Sequence, residues 1–229
     1  MRSMVLASLL AVAAGASLVL IASPVPRRSV RIGLVFSVAP GVAFKTPGVG
    51  VAAIAAEADA IWRPHGVSVS AVSLLDPVPP EAVDVWVEVQ LVSRLDQTPG
   101  GPPRLGGIVF QSHEGFEPVL RIAVASMDEI LKGATLNGRP LAAWPASVAN
   151  AARWRALGRV LAHELGHYLV GLPVHRPGGL MRRGFGSQAL ASPDRGDFRL
   201  DRIDVPRLLA RLGRLSSGPT LVRAGRTPD

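Results

Sequence analysis

The chain has 229 residues, 48% hydrophobic and 18% charged, a composition that describes a folded domain with a sizeable core and excludes wholesale disorder. It contains no cysteine, which excludes disulfides, thiolate zinc sites, iron–sulfur ligation and a cysteine nucleophile, so any metal must rest on His, Asp or Glu. The formal charge is +8, and residues 147–229 carry all of the excess: they hold 14 basic and 6 acidic side chains, against 11 and 11 in residues 1–146.

In chain order, residues 4–22 form an uninterrupted apolar and small-residue run, preceded by Arg2 and followed by Arg27, Arg28 and Arg31. As a helix this run spans roughly 28 Å, close to the hydrocarbon thickness of a bilayer. Ala14-Gly15-Ala16 offers a small-x-small cleavage site. Residues 1–26 are therefore expected to be a signal peptide or an N-terminal membrane anchor. Either reading places the rest of the chain outside the cytoplasm, as a secreted, periplasmic or membrane-anchored domain.

Residues 30–36 (VRIGLVF) read as a strand. Residues 49–62 read as a helix with Ile54, Ala58 and Ile61 on one face, stopped by Pro64 and Gly66. Residues 67–73 (VSVSAVS) and 83–92 (VDVWVEVQLV) alternate as half-buried strands. Residues 98–107, rich in Pro and Gly, read as a loop, and two further strands follow at about 107–111 and 119–125. A long helix is expected over residues 148–170, with Asn150 as its cap. After an irregular Gly-rich stretch, a closing helix covers residues 200–212 with Pro206 near its first turn. The fold class is α+β, with a mixed sheet of about five strands. The domain spans residues 27–212, and residues 213–229 are expected to form a flexible tail.

The one sharp chemical signal is His163-Glu164-Leu165-Gly166-His167. Positions four apart on a helix share a face, so His163 and His167 can both direct a ring nitrogen at one cation, while Glu164 beside them can hold and deprotonate a water. A catalytic zinc needs a third protein ligand and an open position. Glu164 is the last glutamate in the chain, so a downstream Glu is excluded. The third ligand is then His175 or one of Asp194, Asp197, Asp201 and Asp204. Three of the five histidines fall between residues 163 and 175. His65 and His113-Glu114 read as surface loop groups.

The stretch from His163 to Met181, HELGHYLVGLPVHRPGGLM, resembles the zinc helix and Met-turn of metzincin metallopeptidases, and most closely the matrixin-like ones. The order of the strands and the first helix is also similar to the metzincin N-terminal subdomain. The resemblance implies a zincin-like fold: a twisted sheet, a zinc-binding active-site helix and a small C-terminal subdomain. It implies Zn2+ on His163, His167 and His175, Glu164 as general base, Gly171 as the turn glycine and Met181 as the hydrophobic floor of the metal site. It makes 107–111 the edge strand that receives a peptide. Two features depart from the family pattern: the second and third histidines are eight residues apart instead of six, and Arg182 and Arg183 stand where some members carry a tyrosine.

The expected function is that of a zinc metalloendopeptidase acting on peptide or protein substrates, with no nucleic-acid partner. The alternative is a non-catalytic, zinc-containing basic domain that binds an anionic envelope polymer or membrane surface through Arg176, Arg182, Arg183, Arg195, Arg199 and Arg202. If the chain is an enzyme, Arg176, Arg182 and Arg183 form an electropositive rim that favours acidic substrates. Tyr168 is expected to pack in the core.

Overall fold

The computed structural model describes residues 29–42, 47–73, 82–96, 103–111, 115–171 and 175–216. The apolar run at 4–22, the pair His113-Glu114, and the expected tail from residue 217 onward lie outside the described residues.

A five-stranded sheet forms the upper layer. Its strands are β1 (Val30–Val38), β2 (Val67–Ala71), β3 (Val85–Val92), β4 (Gly106–Gln111) and β5 (Gly115–Ala123), in the spatial order β2-β1-β3-β5-β4. Neighbouring strands from β2 to β5 run parallel, and only the edge strand β4 is antiparallel to its neighbour. The sheet is mixed and the class α+β, as the sequence pattern indicates.

Alternation along β3 shows why this sequence makes a two-faced strand: Val85, Val87, Val89 and Leu91 are buried, whereas Trp86, Glu88, Gln90 and Val92 are more exposed. The register puts Val87 and Val89 beside Leu34 and Phe36 of β1. On the buried side lie α1 (Pro47–Trp62), which crosses from β1 to β2, and α3 (Ala146–Val170). Every residue of α3 from Ala156 to Val170 is buried, so its second half runs through the core instead of along the surface. Its other side is covered by the C-terminal elements, α4 (Ser187–Ala191) and α5 (Val205–Ser216).

Several boundaries differ from the sequence expectation for physical reasons. α3 begins at Ala146 with Pro145 at its cap and no side-chain cap bond, so Asn150 lies inside the helix and caps nothing. The strand expected to end at 125 stops at Ala123, and the chain continues directly as α2 (Val124–Leu131), whose Val124, Met127 and Leu131 face the core at helical spacing. The closing helix starts at Val205, after a turn in which the Asp204 N–H bonds the Asp201 carbonyl, and it extends to Ser216. A short hairpin, β6 (Thr135–Leu136) and β7 (Arg139–Pro140), turns through Asn137 and Gly138, both at positive φ. His65, expected at the surface, is half-buried edge-on against Trp62. Tyr168 is buried, as expected, under the Arg211 guanidinium. Among the described residues, no helix is long and apolar enough to cross a membrane.

α1 and α3 touch backbone to backbone at Gly158, where a Cβ would lie 2.7 Å from the Ile54 carbonyl and 2.6 Å from Glu57 Cβ. One residue further on, Arg159 is fully buried. Its Nε donates to Glu57 at 3.0 Å, and its terminal nitrogens donate to the carbonyls of Ala189, Leu190 and Asp194, while its plane lies 4.3 Å over the Phe198 ring. Arg195 closes on the second Glu57 oxygen at 2.7 Å. A single buried arginine thereby ties α1, α3 and the C-terminal elements together.

Candidate metal centre

α3 brings His163 and His167 to one face, one turn apart, at the end of the core helix. The helix ends three residues later at Val170 and is capped by Gly171, whose left-handed backbone (φ 70°) lets its N–H return to the His167 carbonyl at 3.0 Å. The chain then comes back with His175. The ligand nitrogens of His163, His167 and His175 all lie within 4.8 Å of one another. The rings of His163 and His175 are stacked with centroids 5.3 Å apart, and the His167 ring stands perpendicular to both.

The next turn fixes the first ligand. The Nδ1–H of His163 donates to the Leu180 carbonyl at 2.7 Å, so its proton stays on Nδ1 and the Nε2 lone pair points inward, 3.1 Å from His167 Nε2. Leu180 is itself held by an N–H bond to the Arg199 carbonyl, and Gly179 passes so close to that carbonyl that a Cβ would lie 2.6 Å from it. Met181 is buried beneath the metal helix against Gly166, and its carbonyl accepts the Arg176 N–H at 2.7 Å. Phe185 stands edge-on to His163 and stacks on Phe198.

Burial removes water from these groups and holds them neutral. The His163 pKa is pushed down to about 4 by desolvation, with only partial compensation from the Leu180 hydrogen bond. Desolvation likewise lowers the His175 pKa. The Glu164 carboxyl is pushed up to about 8, against a small opposing pull from Arg104. Imidazoles converging on one point, one of them oriented by a backbone carbonyl, suit a nitrogen-liganded divalent cation such as zinc.

None of the four aspartates weighed as third ligand belongs to the cluster. Asp204 is buried and paired with Arg176, Asp197 faces Arg182, and the Asp194 and Asp201 carboxylates accept the backbone N–H groups of Gly196 and Ile203. The same pairs change the picture of the basic rim. Arg176, Arg182 and Arg195, expected as contacts to an external anion, are engaged inside the protein with Asp204, Asp197 and Glu57.

The three histidines and Glu164 open onto a cleft of about 770 Å³. Gly106, Gly107 and Ile108 of the edge strand line one side, and Arg183, Phe185 and Ser187 line the other. Gly106 sits directly over the carboxyl: a Cβ there would lie 2.5 Å from Glu164 Oε1 and 2.7 Å from Val160 Cγ1. Sequence reasoning missed this glycine, although a Gly-Gly pair at the start of an expected edge strand signals close backbone approach. It also missed Arg159 and Phe185, which no motif marks.

No protein-family model matches the sequence, and neither does any curated protein. Among solved structures, the chain is similar to the crystal structure of archaemetzincin from Methanopyrus kandleri. The sequence identity is 16% and the TM-score 0.45, with 84% of this chain and 100% of that chain covered.

Proposed function

We propose that the protein is a zinc-dependent endopeptidase. The observation that carries this reading is the convergence of three histidines and one buried glutamate at the floor of a cleft walled by an open strand edge. Zinc held by His163, His167 and His175 would supply a Lewis acid that acidifies a water and polarises the scissile carbonyl. Glu164, next to the first ligand on the same helix, takes the proton of the attacking water and passes it to the leaving amine. Met181 acts as the floor of the site, packed under the turn of α3 that carries the ligands.

The free edge of β4 gives a substrate its direction. β4 pairs with β5 on one side only, and its other side faces the cleft at Gly106, Gly107 and Ile108. An extended peptide docks there as an added strand, and its main chain supplies the hydrogen bonds that make binding largely independent of sequence. The reading carries with it the exported location expected from the N-terminal apolar run. A non-catalytic anion-binding domain draws less support, because three of its six expected contacts are consumed by internal ion pairs.

The deciding experiment measures metal content and turnover on a peptide library side by side. Glu164→Gln should keep one zinc per chain and lose hydrolysis by at least about a hundredfold. His175→Ala should lose zinc. Full hydrolysis by Glu164→Gln overturns the mechanism, and undiminished zinc in His175→Ala overturns the ligand set.

A further inference from the structure

Eight arginines of the described chain are engaged in ion pairs. Arg31, Arg63, Arg94, Arg153, Arg159, Arg176, Arg182 and Arg195 each face a carboxylate. Of the arginines that form no ion pair among the described residues, two exposed ones are set apart by position: Arg104, just before β4, and Arg183, just after Met181, both line the cleft. They approach from its two sides, Arg104 from the strand side and Arg183 from the Phe185 side.

The cleft offers them no internal partner. Its lining contains one carboxyl, that of Glu164, which is buried on α3 at the floor. Two exposed cations with no ion pair, at the mouth of an apolar-walled cleft, attract an anion, since the low-dielectric walls focus their field. A guanidinium also has the planar fork that fits a carboxylate in two parallel hydrogen bonds.

We propose that Arg104 and Arg183 are specificity-determining residues that select peptides with acidic side chains close to the scissile bond. This inference rests on the peptidase reading and supplies its substrate class. It replaces the rim of Arg176, Arg182 and Arg183 expected from sequence: only Arg183 remains available, and Arg104, 79 positions earlier in the chain, supplies the second charge.

The test uses the zinc-loaded full chain and end-blocked peptides that differ only by Glu or Gln beside the cleaved bond. Wild type should favour the Glu peptide by about tenfold or more in kcat/KM, the discrimination expected of one or two charge-assisted hydrogen bonds, and added salt should shrink that ratio. In Arg104→Gln/Arg183→Gln the ratio should fall to about one. A merely structural effect of the substitutions would lower both peptides together and leave the ratio intact. Equal cleavage of the two peptides by wild type, or an unchanged ratio in the double variant, overturns the proposal while leaving the peptidase reading standing. If no peptide is cleaved, the peptidase reading falls, and fluorescence anisotropy of the same two peptides on the Glu164→Gln chain decides the proposal separately. Preferential Glu-peptide binding that the arginine substitutions abolish supports it; equal binding overturns it.

Discussion

Gly166, between the two helical histidines, is in contact with Met181 across the turn. A Cβ on Gly166 would overlap the Met181 sulfur and lie 3.1 Å from its methyl carbon and 3.4 Å from the Trp62 ring. The middle residue of the metal motif is therefore small because the methionine turn is seated against it. Trp62 completes the seat and donates its indole N–H to the Ala162 carbonyl at 3.0 Å.

That contact and the one at Gly158 give a graded prediction. In Gly166→Ala the obstacle is a flexible thioether, and the alanine also gains about 1 kcal/mol of helix propensity, so the net loss of stability should be about 1 kcal/mol. In Gly158→Ala the obstacles are the Ile54 carbonyl and the Glu57 Cβ of a neighbouring helix, which move only if α1 moves. That variant should lose about 2–3 kcal/mol or more. Denaturant midpoints in the reverse order would refute the packing described for α3.

Gly106→Ala addresses the site directly. The added methyl would displace the Glu164 carboxyl, so kcat should fall by about a hundredfold, as expected of a misplacement on the order of 1 Å. The histidine cluster lies outside the collision, so zinc content should hold at the wild-type level. Loss of zinc together with activity would show that the strand supports the ligands and not the carboxyl.

The titrations of His163 and Glu164 pull the metal-free protein in opposite directions. The folded His163 pKa of about 4 lies below its ordinary 6.5, so between those values only the unfolded chain binds the proton and stability rises with pH. His175 acts in the same sense. The folded Glu164 pKa of about 8 lies above its ordinary 4.5, so in that interval only the folded chain holds the proton and stability falls with pH. The two slopes oppose each other from pH 4.5 to 6.5, and above 6.5 the glutamate acts alone. Chelated protein should therefore lose about 2 kcal/mol between pH 6.5 and 8, and Glu164→Gln should be level over the same range. Urea denaturation in chelator at a series of pH values checks this, and a wild-type stability that rises over that interval contradicts a buried neutral Glu164.

The buried Glu57–Arg159 pair should be costly to break from one side. Glu57→Gln leaves the fully buried Arg159 and the nearby Arg195 without their shared carboxylate, a change worth about 3–5 kcal/mol. Conservative changes at the exposed Arg94–Glu129 pair should cost far less, because water screens it. Comparable losses at the two sites would mean that the buried network is open to water.

How much of this was legible beforehand depends on the range of each interaction. The period of β3 and the four-residue step from His163 to His167 are local patterns, so they can be read from the chain directly. The Asn137-Gly138 turn was also readable, as a short-range hairpin signal, and was missed. Asn150 shows the opposite error: a favourable capping residue was present, but the helix had already begun behind Pro145. Groups that matter through distant partners left no trace in any window. Arg159 looks like any surface arginine until Glu57, 102 residues away, and the carbonyls of 189–194 are brought to it. The arginine rim was misassigned for the same reason, because Asp197 and Asp204 claim their partners only in three dimensions.

The wiring of Glu57 also sets an order of events during folding. Its carboxylate closes on Arg159 and on Arg195, contacts that span 102 and 138 residues. Contacts of that separation form late, because the intervening loop must be ordered before they repay its entropy. Leu180, whose carbonyl aims His163, depends in turn on Arg199. A chain emerging from the ribosome can build the strands and the first helix early, but the geometry of the histidine cluster waits on residues near its end. A chain that ends before residue 199 lacks the carbonyl that holds Leu180, and its histidine cluster should stay unassembled.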